Sequence, residues 1–102
     1  MARVPIACEL TADDAEARIE EWRQFFSGRV VEVVRTDRSA LLRLVDGDKT
    51  TLVATDLARR EKLCCPFFEF RLVHLPEATW LEVEVPAESK AVLDGLVNLH
   101  RA

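Results

Sequence analysis

The stretch Leu57-Ala58-Arg59-Arg60-Glu61-Lys62-Leu63-Cys64-Cys65-Pro66-Phe67-Phe68-Glu69-Phe70-Arg71-Leu72 changes its hydrophobic period part-way along. Up to the cysteines, Val53, Leu57 and Cys64 recur at helical spacing. After Pro66 the pattern becomes Phe68, Phe70 and Leu72 alternating with Glu69, Arg71 and Val73, the period of two of a half-buried strand. Pro66 disfavours the α conformation at the residue before it, so a helix from about Lys49 must stop at Cys64 or Cys65. A helix that turns directly into an alternating strand is the mark of an α+β chain.

Toward the C-terminus, Leu81, Val83 and Val85 alternate with Trp80, Glu82 and Glu84, and Leu75-Pro76-Glu77-Ala78 joins the two runs as a hairpin. Glu69 and Arg71 on one polar strand face meet Glu82 and Glu84 on the other, an ordinary finish for a solvated sheet. Pro86 closes the strand, and Ala87 to His100 reads as a last helix carrying Leu93, Leu96 and Val97 inward. Toward the N-terminus, Asp46-Gly47-Asp48 breaks a strand over Ala40 to Val45. That strand pairs through Thr36-Asp37-Arg38-Ser39 with a valine-rich one over Arg29 to Arg35. Ahead of it Ala15, Ile19, Trp22 and Phe26 form a helical stripe. Thr11 is its N-cap, Asp13 and Asp14 stand in the first turn, and Ser27-Gly28 forms a glycine C-cap. Val4, Ile6, Cys8 and Leu10 alternate as a first strand with Cys8 on its apolar face.

The order is β-α-β-β-α-β-β-α, an α+β fold in a single domain over residues 1–102. We expect one sheet with helices on one face, its other face polar or paired with a partner. Within that order lies a β-α-β-β-α-β run, a ferredoxin-like core extended by one strand and one helix.

Composition narrows the function. The 102 residues are 49% hydrophobic and 31% charged, values of a chain that buries a core and not of a disordered one. Acidic residues outnumber basic ones by 18 to 14, for a net charge of −4. Binding to nucleic acid draws on a basic surface that releases counterions, so no nucleic-acid partner is expected. The run Arg59-Arg60-Glu61-Lys62 is broken by a carboxylate and reads as a solvated helix face. No signal-peptide segment follows Met1, and no apolar run reaches the ~20 residues a membrane span needs. The three cysteines are an odd number and two are adjacent, which makes a poor secreted framework. Reduced thiols and a cytoplasmic location are the expectation.

The vicinal pair Cys64-Cys65 is the chemically suggestive feature. At helical spacing Arg60 lies four residues before Cys64 and Glu61 four before Cys65, so each can meet its cysteine. Cys8 points to the side the helices cover, which lets three sulfurs converge. Neighbouring thiolates suit Cu(I), Zn or another thiophilic ion. The spaced cysteine pairs of a four-ligand structural zinc site are missing. A helix C-terminus disfavours thiolate, which argues against an activated nucleophile unless Arg60 or Lys62 turns toward the sulfurs. Cysteine also serves as a small buried hydrophobe, and Cys64 with Phe67, Phe68 and Phe70 fits a packed helix-to-strand corner equally well.

Elsewhere the residues read as structural. His74 stands near a turn without a serine or aspartate motif, and His100 lies almost at the end of the chain. Asp46-Gly47-Asp48 lacks the downstream ligands of a calcium loop, and Glu82 with Glu84 are surface charges. No phosphate loop, dinucleotide fingerprint or zinc-protease motif occurs.

The pattern E-x-x-C-C-P-F-F-x-F at Glu61 to Phe70, together with Ile6-x-Cys8-x-Leu10, resembles a group of small bacterial proteins of about this length. In that group a glutamate, a vicinal cysteine pair and following aromatics recur, with no established activity. Similar cysteine-pair segments accompany bacterial heavy-metal-resistance proteins. The resemblance singles out Cys8, Glu61, Cys64, Cys65 and Phe67 and covers nearly the whole chain. Three functions therefore stand open. The first is a thiol site for a soft metal or metalloid ion at Cys8, Cys64 and Cys65, supported by Arg60, Glu61 and Phe67. The second is a non-enzymatic homodimeric module for a protein or small-ligand partner, in which the cysteines are structural; Trp80 and Val73 on the outer parity of the sheet motivate it. The third is a thiol enzyme acting on an electrophile or peroxide.

Overall fold

The computed structural model describes residues 12–101, with side chains over 14–100. The expected first strand, Cys8 within it, and the Thr11 cap lie outside the described residues. Helix α1 (Ala12–Arg29) leads into strands β1 (Val30–Arg35) and β2 (Ser39–Leu44). Helix α2 (Asp48–Cys64) follows, then β3 (Glu69–His74), β4 (Thr79–Glu84) and α3 (Lys90–Asn98). The described elements thus run α-β-β-α-β-β-α, and the α+β class read from the sequence holds. The strands form one sheet in the order β1-β2-β4-β3, every neighbouring pair antiparallel. The place of the expected first strand, and with it the ferredoxin-like core, lies outside the described residues.

Alternation decides which face is buried. Ala40, Leu42 and Leu44 of β2 and Leu81 and Val83 of β4 point to one side and join a single core with Trp22, Phe25 and Phe26 of α1, Leu57 of α2, Phe68, and Leu93 and Leu96 of α3. The helices therefore cover one face. The other face carries Leu41, Arg43, Trp80 and Val73 at half-buried positions, laced by Arg43–Glu32 at 2.9 Å and Arg71–Glu82 at 3.0 Å. Glu69 stands opposite Glu84 in register, a like-charge pair, and its carboxylate instead takes Lys62 at 2.7 Å.

Two boundaries differ from the sequence reading. Helix α1 does not stop at Ser27-Gly28 but runs through Gly28 to Arg29, and the one described residue with positive φ is Gly47. The backbone N–H of Val45 donates to the Arg29 carbonyl at 2.8 Å, and the Arg29 guanidinium donates to Thr50 Oγ1 at 2.9 Å. The helix end is thus satisfied by tertiary contacts, and no glycine cap is needed. The last helix opens and closes in 3-10 turns, Ala87–Ser89 and Leu99–Arg101. By contrast α2 stops where Pro66 requires: Cys65 sits at φ −127° and ψ 85°, outside the α region.

Candidate metal centre at the end of α2

Helix α2 buries Thr50, Ala54, Leu57, Ala58, Glu61 and Cys64 along one stripe. Glu61 occupies a core position on that stripe and is 0% exposed. A carboxylate there must find partners or remain protonated. Both of its hydrogen bonds go to one oxygen: Trp22 Nε1 donates to Oε1 at 2.9 Å, and Arg18 Nη1 donates to the same atom at 3.1 Å. Oε2 is buried and has no hydrogen-bond partner among the described residues. Burial pushes the Glu61 carboxyl pKa up, and the Trp22 and Arg18 bonds only partly oppose it.

The Glu61 carboxylate belongs to a group of donors. Ligand atoms of Glu61, Cys64 and Cys65 all lie within 4.8 Å of one another, and all three residues are buried. The turn that gathers them is short. Cys65 N donates to the Glu61 carbonyl at 2.7 Å, and Phe68 N donates to the Cys65 carbonyl at 3.1 Å. Lys62 Nζ clamps the same turn by donating to the Pro66 and Phe68 carbonyls, each at 2.7 Å. The sulfurs of Cys64 and Cys65 are 3.8 Å apart, well beyond the ~2.05 Å of an S–S bond, so they are not joined to each other. Cys65 is disulfide-bonded in this structure.

The residues singled out by sequence are distributed unevenly. Glu61, Cys64 and Cys65 come together. Phe67 is half-buried on the same turn and stacks on Phe68 with ring centroids 5.0 Å apart. Arg60 does not support the sulfurs. Its guanidinium turns outward to both Glu21 oxygens, at 3.0 and 2.9 Å, and to Asp56 at 3.0 Å. Those carboxylates satisfy it at the surface without the cost of burying a charge. Lys62 is likewise committed to backbone carbonyls and not to a sulfur. Cys8 lies outside the described residues.

Two residues of the site were not read from the sequence as such. Trp22 reads as core in the sequence, but its indole N–H also serves Glu61, while Phe70 stacks on its ring at 6.2 Å and 15°. Arg18 is the second. It precedes Trp22 by four residues and so shares its helix face, which was the available signal. No family model, no curated protein and no solved structure matches the chain.

Proposed function

We propose that in the reduced protein, where the Cys65 disulfide is opened, Glu61, Cys64 and Cys65, with both cysteines as thiolates, hold one soft metal or metalloid ion. In this reading the protein is a binder and not an enzyme, a member of the small bacterial cysteine-pair group, working in the cytoplasm. The observation that carries it is a buried Glu61 whose Oε2 has no hydrogen-bond partner among the described residues and whose carboxylate lies within 4.8 Å of the Cys64 and Cys65 sulfurs. Leaving such a group unsatisfied costs ~1–3 kcal/mol, and more when it is charged. A bound cation removes that cost.

Charge and geometry narrow the ion. Two thiolates and a carboxylate carry three negative charges, which a divalent ion together with the Arg18 guanidinium balances. With Zn–S bonds of about 2.3 Å, sulfurs 3.8 Å apart subtend about 110° at the ion, close to tetrahedral. A linear two-coordinate ion would hold them roughly 4.6 Å apart on the same bond length. Bent coordination by Zn²⁺ or its heavier congener Cd²⁺, with Cys8 as a candidate for the fourth position, fits best. Because the donors are buried, the ion is enclosed, which suits retention or sensing more than turnover.

The test is an anaerobic titration of the reduced protein with Cd²⁺, followed by thiolate-to-metal charge-transfer absorption. One ion per chain is expected, with affinity lowered at least tenfold in each of Cys64→Ser, Cys65→Ser and Glu61→Gln. Unchanged stoichiometry and affinity in both cysteine variants would sink the proposal.

A second reading is self-association through the outer sheet face. Val34 and Val31 stand exposed at the β1 end of that sheet, and Trp80 and Val73 remain half-buried across it. Light scattering decides it: a monomer at every accessible concentration removes this reading.

A further inference from the structure

The two most exposed large apolar side chains of the described residues both stand on α2, Leu52 at 69% and Leu63 at 73%. At 3.6 residues per turn, Leu52, Asp56, Arg59 and Leu63 fall within about 60° of arc on that helix, all four exposed. This stripe lies opposite the one by which α2 buries Thr50, Ala54, Leu57, Ala58, Glu61 and Cys64. The leucines therefore add little to the core, which the other side of the helix already fills.

We propose that α2 pairs antiparallel with α2 of a second copy of the chain, across a two-fold axis midway between residues 57 and 58. The exposed stripe is symmetric about that point. Leu52 and Leu63 stand equally far to either side of it, and so do Asp56 and Arg59. A two-fold contact sets the same patch of each copy against the other, so that residue i meets j and j meets i. Leu52 then meets the partner's Leu63 at each end of the contact, and Asp56 meets the partner's Arg59 on each side of its centre. The two leucine pairs lie about 16.5 Å apart along the helix, with both ion pairs between them. A parallel pairing of the same stripes would set Asp56 on Asp56 and Arg59 on Arg59, like charge on like, which opposes it.

The charged groups have capacity for this contact. Arg59 makes no hydrogen bond or ion pair among the described residues. Asp56 commits Oδ2 to Arg60, at 3.0 Å from Nε and 2.9 Å from Nη2, which leaves Oδ1 to accept from the partner. Arg60 is held away from the axis by both Glu21 oxygens on α1. The leucines supply the affinity and the ion pairs fix the register, because exposed charge pairs contribute little binding energy of their own. A single helix-to-helix contact of three turns buries less than the ~1,200 Å² of a standard interface, so the dimer is a weak one. Its surface is separate from the outer sheet face that carries Val34 and Trp80, since α2 covers the opposite side of the sheet.

Sedimentation equilibrium of the full chain, reduced and with chelator so that neither a disulfide nor an ion joins two copies, is the test. It should show a monomer–dimer equilibrium with a dissociation constant of roughly 10 µM to 1 mM. Leu52→Glu and Leu63→Glu should each weaken it by about tenfold or more, with unchanged far-UV circular dichroism. Asp56→Arg and Arg59→Asp should each weaken it by about tenfold or more, by setting like charges face to face. Mixed in equal amounts, these last two variants should dimerise with each other to within about threefold of wild-type affinity, since every facing pair again joins arginine to aspartate. A wild type that is monomeric up to about 1 mM overturns the pairing. So does a mixture that stays as monomeric as its components, or a dimer that survives both leucine variants but is lost in Val34→Glu.

Discussion

Replacing Glu61 by glutamine separates what this residue does for the fold from what it does for an ion. Two hydrogen bonds end on Oε1, from Trp22 at 2.9 Å and from Arg18 at 3.1 Å, and a glutamine carbonyl can accept both. Their loss of charge assistance costs about 1 kcal/mol. Against this, the substitution removes the buried negative charge, while the amide NH2 takes the place of the oxygen that has no hydrogen-bond partner among the described residues. That returns ~1–3 kcal/mol. At pH 8, with chelator and a fixed redox state, Glu61→Gln is therefore expected to match the wild type or to exceed it by up to about 2 kcal/mol. Glu61→Ala strands the Trp22 indole N–H and the Arg18 guanidinium over a cavity and should lose about 3–5 kcal/mol. The carboxyl pKa is raised on folding, so its stabilising contribution is complete below the ordinary carboxyl pKa and drains away as pH rises through the raised value. The advantage of Glu61→Gln should accordingly shrink between pH 8 and pH 5. Urea denaturation at both pH values measures all of this. A Glu61→Gln protein as damaged as Glu61→Ala at pH 8, or an advantage that grows as pH falls, would refute the reasoning.

Other substitutions probe the surroundings of the site. Lys62→Met removes three contacts, to the Pro66 and Phe68 carbonyls and to Glu69, each 2.7 Å long. It should cost about 1–2 kcal/mol in urea and weaken Cd²⁺ binding severalfold, because the turn that carries Cys65 loosens. Arg60→Ala gives up outward ion pairs to Glu21 and Asp56. It should cost no more than about 1 kcal/mol and leave Cd²⁺ affinity unchanged; a tenfold loss of affinity would place Arg60 back at the sulfurs. Gly47→Ala meets no atom within 4 Å, but its backbone sits at φ +133°. It should lower stability by about 1–3 kcal/mol through strain alone, and an unchanged urea midpoint would contradict that.

The fold was legible where periodicity and backbone chemistry act locally. The change from helical spacing to alternation at Pro66 located the end of α2 and the start of the second hairpin, because proline restricts its predecessor whatever surrounds it. Gly28 misled for the opposite reason. The end of α1 is secured by Val45 and Thr50, from other elements, and no local rule foresees them. The site divides in the same way. Four-residue spacing brought Glu61 to Cys65, but the same rule paired Arg60 with Cys64, and surface carboxylates from α1 and α2 took it instead. Helical spacing places side chains on a face without saying which cross-helix partner wins. Arg18 and Trp22 became visible as site residues only once α1 was packed on α2, since a buried glutamate defines its partners through the tertiary fold. Charge patterning bounded the open sheet face well, yet the opposed Glu69 and Glu84 needed Lys62 from outside the sheet to resolve them.

The most direct test of the central claim is X-ray absorption at the metal edge of the reduced, Zn²⁺-loaded protein. The account predicts at least two sulfur neighbours at about 2.3 Å together with at least one oxygen neighbour. The oxygen is expected to be altered in Glu61→Gln. A shell made wholly of oxygen and nitrogen, with Cys64 and Cys65 still open to alkylation in the loaded protein, would contradict it.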